Sequence, residues 1–131
     1  MDIHPPGSAP SRRAPIEYFT GAVWQDPIVE TPEGNIRASL VQFEPGARTN
    51  WHTHPAGQTL YIVSGFGRVQ SVGGKIREVR AGDVVWFAPN EKHWHGAGPA
   101  TTMAHIAITE VLDSKYVGWL EKVSDQQYSG T

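Results

Sequence analysis

Two histidines one residue apart, His52 and His54, lie in a glycine-bounded stretch built for extended backbone. That pairing constrains the chain more than any other feature. The stretch begins at Gly46, ends at Gly65, and includes the β-rich run Gln58-Thr-Leu-Tyr-Ile-Val-Ser. In an extended chain, side chains alternate between faces. His52 and His54 therefore point the same way. Gln58 joins them if the break at Pro55-Ala56-Gly57 returns the chain in phase. Two imidazoles and an amide oxygen then converge on one point. Imidazole suits divalent transition metals, and carboxamide oxygen tolerates the harder ones.

The surrounding pattern predicts short strands divided by turn residues. Strands are expected over 21–30, 36–43, 58–64, 66–72 and 75–79, then over Val84 to Ala88 as a short buried strand, His93 to Gly96, and Thr101 to Val111. Pro27 marks an edge or bend in the first of these. Glu33-Gly34-Asn35 is a turn signal, Pro45-Gly46 fits the centre of a type II turn, and Gly73-Gly74 fits a tight hairpin. Many short strands with such turns indicate an all-β antiparallel sandwich or barrel, the jelly roll among them. The tail reads differently. Asp113-Ser114 is suited to cap a helix holding Tyr116, Val117, Trp119, Leu120 and Val123. Ser124-Asp-Gln-Gln127 has capping-box spacing for a last short turn.

A chain of 131 residues is enough for one domain with a single core. Residues 1–15 hold four of the ten prolines and read as an irregular arm that is ordered only where it docks; residues 16–131 read as the domain with its helical tail. His4, in the arm, reads as a solvated surface residue. A net charge of -2 with no basic stripe argues against nucleic acid as a partner. With no cysteine, disulfides and thiol chemistry are excluded. No leader pattern and no run of membrane-spanning length stand in the sequence, so a cytoplasmic protein without a membrane partner is expected.

A third imidazole lies in Gly82-Asp83-Val-Val-Trp-Phe-Ala-Pro89-Asn90-Glu91-Lys92-His93-Trp94-His95-Gly96. Together the two stretches resemble the paired motifs of the cupins. The first motif, G-x5-H-x-H-x3-E-x6-G, is met at Gly46, His52, His54 and Gly65, with Gln58 in place of the usual Glu. The second, G-x5-P-x-G-x2-H, is met at Gly82 and His93. Pro89 falls one place late there, and Asn90 stands where Gly is usual. Asn is the non-glycine residue most at home with positive φ. The resemblance implies a single-domain cupin, a double-stranded β-helix or jelly-roll barrel.

Five of the six histidines lie between 52 and 105. Packing several neutral imidazoles inside a barrel with no ligand to satisfy them is costly. A divalent metal held by His52, His54, Gln58 and His93 is the expected arrangement. All four donors are neutral, so the ion would keep its full double charge, act as a strong Lewis acid and suit an anionic ligand. His95 lies two past His93, hence in the same cavity but one strand step of ~6.6 Å further along. That offset suggests a base acting on a substrate rather than a ligand, with a supporting partner or a fifth ligand as the alternative. His105 faces inward if Ala107 and Thr109 do; otherwise it is a core histidine. Ser39, Val41 and Phe43 alternate onto one face. With Leu60, Ile62 and Trp86 or Phe87 they would form a small apolar pocket with a few polar points, the usual make-up of a small-molecule site. Trp51 and Trp94 alternate away from the ligands and suggest packing or a subunit contact.

Longer runs sharpen the resemblance. Phe43-Glu-Pro-Gly-Ala-Arg-Thr-x-Trp-His-Thr-His-Pro-x-Gly-Gln-Thr-Leu60 and Gly82-Asp-Val-Val-Trp-Phe-x-Pro-x-Glu-Lys-His-Trp-His-Gly96 are similar to a bacterial group of small cupins. Members of that group act as manganese-dependent (R)-selective hydroxynitrile lyases. The similarity implies metal, most often Mn(II) with Fe, Ni or Zn as alternatives, at His52, His54, Gln58 and His93. It implies substrate contacts at Thr49, His95 and His105, and a homodimer. Small or aliphatic residues are usual in the group at positions 39 and 41 and Gln at 109; Val41 fits, and the departures that bear on the pocket are Ser39 and Thr109. Two other readings compete with a lyase. One is a different metal enzyme of the same fold, a dioxygenase or isomerase. The other is a binding protein that turns nothing over.

Overall fold

The computed structural model describes residues 1–30 and 33–131. The chain opens with β1 (Arg12–Arg13), β2 (Phe19–Thr20), β3 (Val23–Glu30) and β4 (Ile36–Phe43). Short strands β5 (Arg48–Thr49) and β6 (His52–Thr53) lead into the long β7 (Gln58–Ser71). Then come β8 (Arg77–Arg80), β9 (Val84–Phe87), β10 (His93–Ala97), β11 (Met103–Glu110) and β12 (Gly118–Trp119). A short helix, α1 (Asp125–Ser129), follows.

The strands pair antiparallel along the order β1-β3-β4-β11-β7-β10-β5-β2. Strand β7 joins the two walls of a curled sheet. Its first half pairs with β11 and β9, and its second half with β10 and β8. The two strands expected over 58–64 and 66–72 are thus one, bent at Gly65. That residue has φ 76, and a Cβ there would overlap the carbonyl of Thr102. Only glycine allows both the turn of the strand and the close approach.

Turn chemistry accounts for the connections. Pro45-Gly46 forms the type II turn: Ala47 N–H donates to the Glu44 carbonyl at 2.9 Å, and Gly46 has φ 80. Gly74 N–H donates to Ser71 O, so the hairpin turn centres on Val72-Gly73, one residue earlier than Gly73-Gly74. Asn90 has φ 62, the left-handed conformation for which Asn is suited. Pro27 coincides with an irregularity in the β3–β4 pairing, as a residue without an N–H must. Within the N-terminal arm, Arg12–Arg13 pairs with β3 and Ala14 is buried.

The main core lies between the walls and includes Phe19, Val23, Phe43, Leu60, Ile62, Phe87 and Met103. A second cluster of Trp51, Trp94, Val123 and Tyr128 fixes α1 to the outside of the barrel. The two tryptophans are therefore packing residues. Tyr128 Oη donates to Ala97 O at 2.7 Å, and Arg48, itself buried, reaches Val123 O and Asp125. The capping box at Ser124 and Gln127 forms as expected.

Two further expectations fail. No helix spans Tyr116 to Val123. Asp113 and Ser114 take φ 51 and 65, Leu112 and Lys115 bridge, and Gly118–Trp119 pairs with β6. A two-residue turn with both central φ values positive makes a hairpin, not a helix N-cap. Strand β9 is also less buried than expected: Val84 and Trp86 are exposed, while Phe87 is buried in the core and Val85 packs against it half-buried.

Candidate metal centre and pocket

Strands β6 and β10 lie side by side, with His52 opposite His93. Gly57, at φ 81 and donating to His54 O, turns the chain so that β7 begins with Gln58 facing the same cavity. His52, His54, Gln58, His93, His95 and His105 are thereby brought together. Ring centroids lie 4.3 Å apart for His52 and His93, 5.0 Å for His52 and His54, and 4.7 Å for His95 and His105.

Backbone carbonyls decide the tautomers. His52 Nδ1 lies 2.9 Å from Asn50 O, His54 Nδ1 2.5 Å from Tyr116 O, and His93 Nδ1 2.8 Å from Glu91 O. A carbonyl only accepts, so each Nδ1 carries the proton and each Nε2 presents a lone pair. His54 Nε2 is buried and has no partner. His93 Nε2 lies 3.3 Å from Gln58 Oε1. A bare nitrogen lone pair facing an amide oxygen is repulsive unless a cation sits among them. Metal-bound histidines are held in this way, with the second ring N–H anchored to a carbonyl. The residues fit a metal, and the cluster is a binding site for a divalent ion.

His95 is nearer than strand spacing implies. Nitrogen atoms of His52, His93 and His95 all lie within 4.8 Å of one another. The ~6.6 Å step is a backbone distance, and on the concave face of a curled sheet the side chains converge. His95 N–H donates to Thr49 Oγ1 at 3.2 Å, and His95 Nδ1 lies 3.0 Å from His105 Nε2. His95 Nε2 and His105 Nδ1 are buried without partners. His105 is fully buried and faces inward.

The cavity over this cluster encloses about 200 Å³. Sites for drug-sized ligands run ~300–1,000 Å³, so this one takes a smaller molecule. Ser39, Val41, Thr49 and Thr109 line it, as do His52, His54, Gln58, His95 and His105. Phe43 and Leu60 do not; they are core residues, Phe43 packing beneath His105 with centroids 5.3 Å apart. Sequence reasoning overlooked Arg37, Tyr116 and Trp119, which also line the cavity. Arg37 shares parity with Ser39 and Val41 on β4, so the alternation that found those two contained it. Tyr116 and Trp119 were hidden by the expected helix. Trp119 stacks on Tyr18 at 4.8 Å and packs against His52 at 4.9 Å.

Burial, the largest cause throughout, lowers the pKa of His52, His54 and His95, brings His93 to about 4 and brings His105 to about 3. The unfolded chain protonates these groups near ~6.5. Stability is therefore whole above ~6.5 and falls as pH drops through it, until the folded-state values are reached. In that window each such histidine contributes about 1.4 kcal/mol per pH unit. Urea denaturation of metal-free protein should show a steep loss between pH 7 and 5; a flat profile there would contradict the buried neutral cluster.

The fold and cluster define a metal-binding β-barrel with a small-molecule pocket on its concave face. The cupin domain family matches residues 39–108, and the chain belongs to it. It is 53% identical over 129 residues to an (R)-mandelonitrile lyase from Granulicella tundricola, covering 98% of each chain. A crystal structure of a cupin-like protein from Thermotoga maritima, 39% identical, superposes with a TM-score of 0.86 over 90% of both chains. A polyketide cyclase, RemF, from Streptomyces resistomycificus shares the fold alone, at 18% identity and a TM-score of 0.65 over 82% of this chain and 76% of that one. One barrel thus carries different chemistries, and the site decides among them.

Proposed function

We propose that this chain is a metal-dependent (R)-selective hydroxynitrile lyase. It splits a cyanohydrin such as mandelonitrile into an aldehyde and HCN, and makes the cyanohydrin in reverse. The observation that carries the reading is His95 Nε2, buried and unpartnered in the cavity beside the three carbonyl-anchored imidazoles. Near-full-length identity to a lyase of this kind supports it.

Among the residues, His52, His54, Gln58 and His93 hold the ion, which when bound supplies Lewis acidity to the substrate oxygen. His95 Nε2 takes the hydroxyl proton of the cyanohydrin. The O–H electron pair becomes the carbonyl π bond, and the C–C bond to the nitrile breaks, its bonding pair leaving with cyanide. The proton on His95 then passes to cyanide. In this reading His95 Nδ1, 3.0 Å from His105 Nε2, donates its proton there, which keeps the His95 lone pair on Nε2. Thr49 Oγ1, accepting from the His95 backbone, fixes the strand that carries the base. Ser39, Val41 and Thr109 shape the wall that meets the substrate.

Manganese(II) is the resident ion in this reading, on the resemblance of the motif runs, while iron, nickel or zinc suits the same donors. The chain works in the cytoplasm; no helix among the described residues is long and apolar enough to cross a membrane. It works as a homodimer, for which the outward face of the β9-β7-β11 wall supplies Trp86, Val84, Tyr61 and Ile108, all exposed. Cyanide release from (R)-mandelonitrile by metal-loaded protein is the expected result. Oxygen uptake with a catechol or diketone, or ligand-induced thermal shift without any turnover, would replace the lyase with an oxygenase or a binding protein.

A further inference from the structure

The lyase reading leaves the substrate's far end unassigned, and the strand register shows what meets it. Gln58, Thr109 and Arg37 are direct cross-strand partners on β7, β11 and β4, and all three line the cavity. Glu30 on β3 continues the same rung. Adjacent strands lie ~4.8 Å apart, so Arg37 stands about 10 Å from Gln58 across the pocket.

Arg37 is held in place there. Its guanidinium lies 4.4 Å from the centre of the Tyr116 ring, and Nη2 donates to Glu30 Oε1 at 2.8 Å. Arg12, brought in by β1, donates to the other oxygen of Glu30 at 3.0 Å. Among the described residues Arg37 makes one side-chain hydrogen bond, which leaves its Nε and Nη1 donors for a ligand. Arg12, Arg37 and Glu30 are the lining residues charged at neutral pH. Two guanidiniums share one carboxylate, so the rim carries one unit of uncompensated positive charge. A guanidinium fork with spare donors is the group best matched to a carboxylate.

We propose that Arg37, with Arg12 and Glu30, makes this pocket selective for aldehydes and cyanohydrins that carry a carboxylate at the end remote from the reacting carbon. An aldehyde whose carboxylate lies a ring's length from its carbonyl bridges Gln58 and Arg37. The substrate class rests on the lyase reading; the recognition of the acid at Arg37 is tested apart from it.

The test is calorimetric binding of 4-formylbenzoate and of its methyl ester to metal-loaded protein at low salt. The wild type should bind the acid about tenfold more tightly than the ester, the worth of one charge-assisted contact at a half-open site. Arg37→Gln should erase that preference, and Arg37→Lys should keep part of it. Glu30→Gln, which removes the internal counter-ion, should enlarge it. The preference should shrink in about 0.5 M salt, where exposed charges are screened. Equal binding of acid and ester by the wild type would overturn the proposal. So would a Glu30→Gln variant that loses the acid as Arg37→Gln does, since that pattern marks a purely structural ion cluster. Cyanide release is read separately: an acid preference with no cyanide chemistry leaves the recognition standing and removes the lyase.

Discussion

Replacing His93 with alanine is expected to abolish metal binding and, with it, activity. His93 Nε2 is one of the lone pairs that converge near Gln58 Oε1, and its ring also stacks on Phe87 with centroids 3.6 Å apart. Metal binding to the folded state adds RT ln(1 + [L]/Kd) to stability, about 4 kcal/mol at a thousandfold excess over Kd. In a domain of this size that corresponds to some 10–20 °C in Tm. The variant should melt at one temperature with or without added metal, while the wild type should shift. His52→Ala should behave alike. Elemental analysis showing full occupancy in either variant would remove that residue from the ligand set. Comparing plus and minus metal within each variant isolates the ion from the packing lost with the ring.

The second large effect belongs to His95. Its alanine variant should keep the fold and the metal while kcat falls by ~10²–10⁴-fold, the usual worth of a positioned acid or base. The nitrogen distances make the metal measurement decisive, because His95 lies close enough to His52 and His93 to serve as a ligand. Loss of metal in His95→Ala, matching His93→Ala, would make it one. His105→Ala should cost less, since His105 reaches the reaction only through the 3.0 Å contact to His95 Nδ1. A larger loss at His105 than at His95 would reverse their roles.

The legible parts of the sequence were those where local rules and tertiary structure agree. His52, His54 and Gln58 share a face because a strand has period two and because Gly57 turns the chain back in phase. The turns at Pro45-Gly46 and Asn90 were written in residues that tolerate their backbone angles. The segment from 113 to 123 was not legible. Its apolar residues fit a helical period, yet Trp119 is used by Tyr18, Phe19 and His52, all distant in sequence. Tyr116 similarly gives its carbonyl to His54 and its ring face to Arg37. Such long-range uses override helix propensity and leave no local trace. The exposure of Val84 and Trp86 was hidden for a similar reason: a short apolar run does not say which of its faces is covered.

The anchoring carbonyls of Asn50, Tyr116 and Glu91 orient the imidazoles through main chain alone. The side chains at those positions are used elsewhere: Asn50 Nδ2 donates to Glu17 O and Leu120 O, and the Tyr116 ring lies under Arg37. The wall facing the substrate, with Arg37, Ser39, Val41 and Thr109, belongs to β4 and β11, across the barrel from the β6–β10 pair that carries His52 and His93. A library randomised at Arg37, Ser39, Val41 and Thr109, with His105 on β11 kept, can explore new aldehydes while inheriting an intact ion cradle, whereas a one-residue insertion between Asn50 and His52 would shift the register of β6 and lose the cradle while leaving that wall in place.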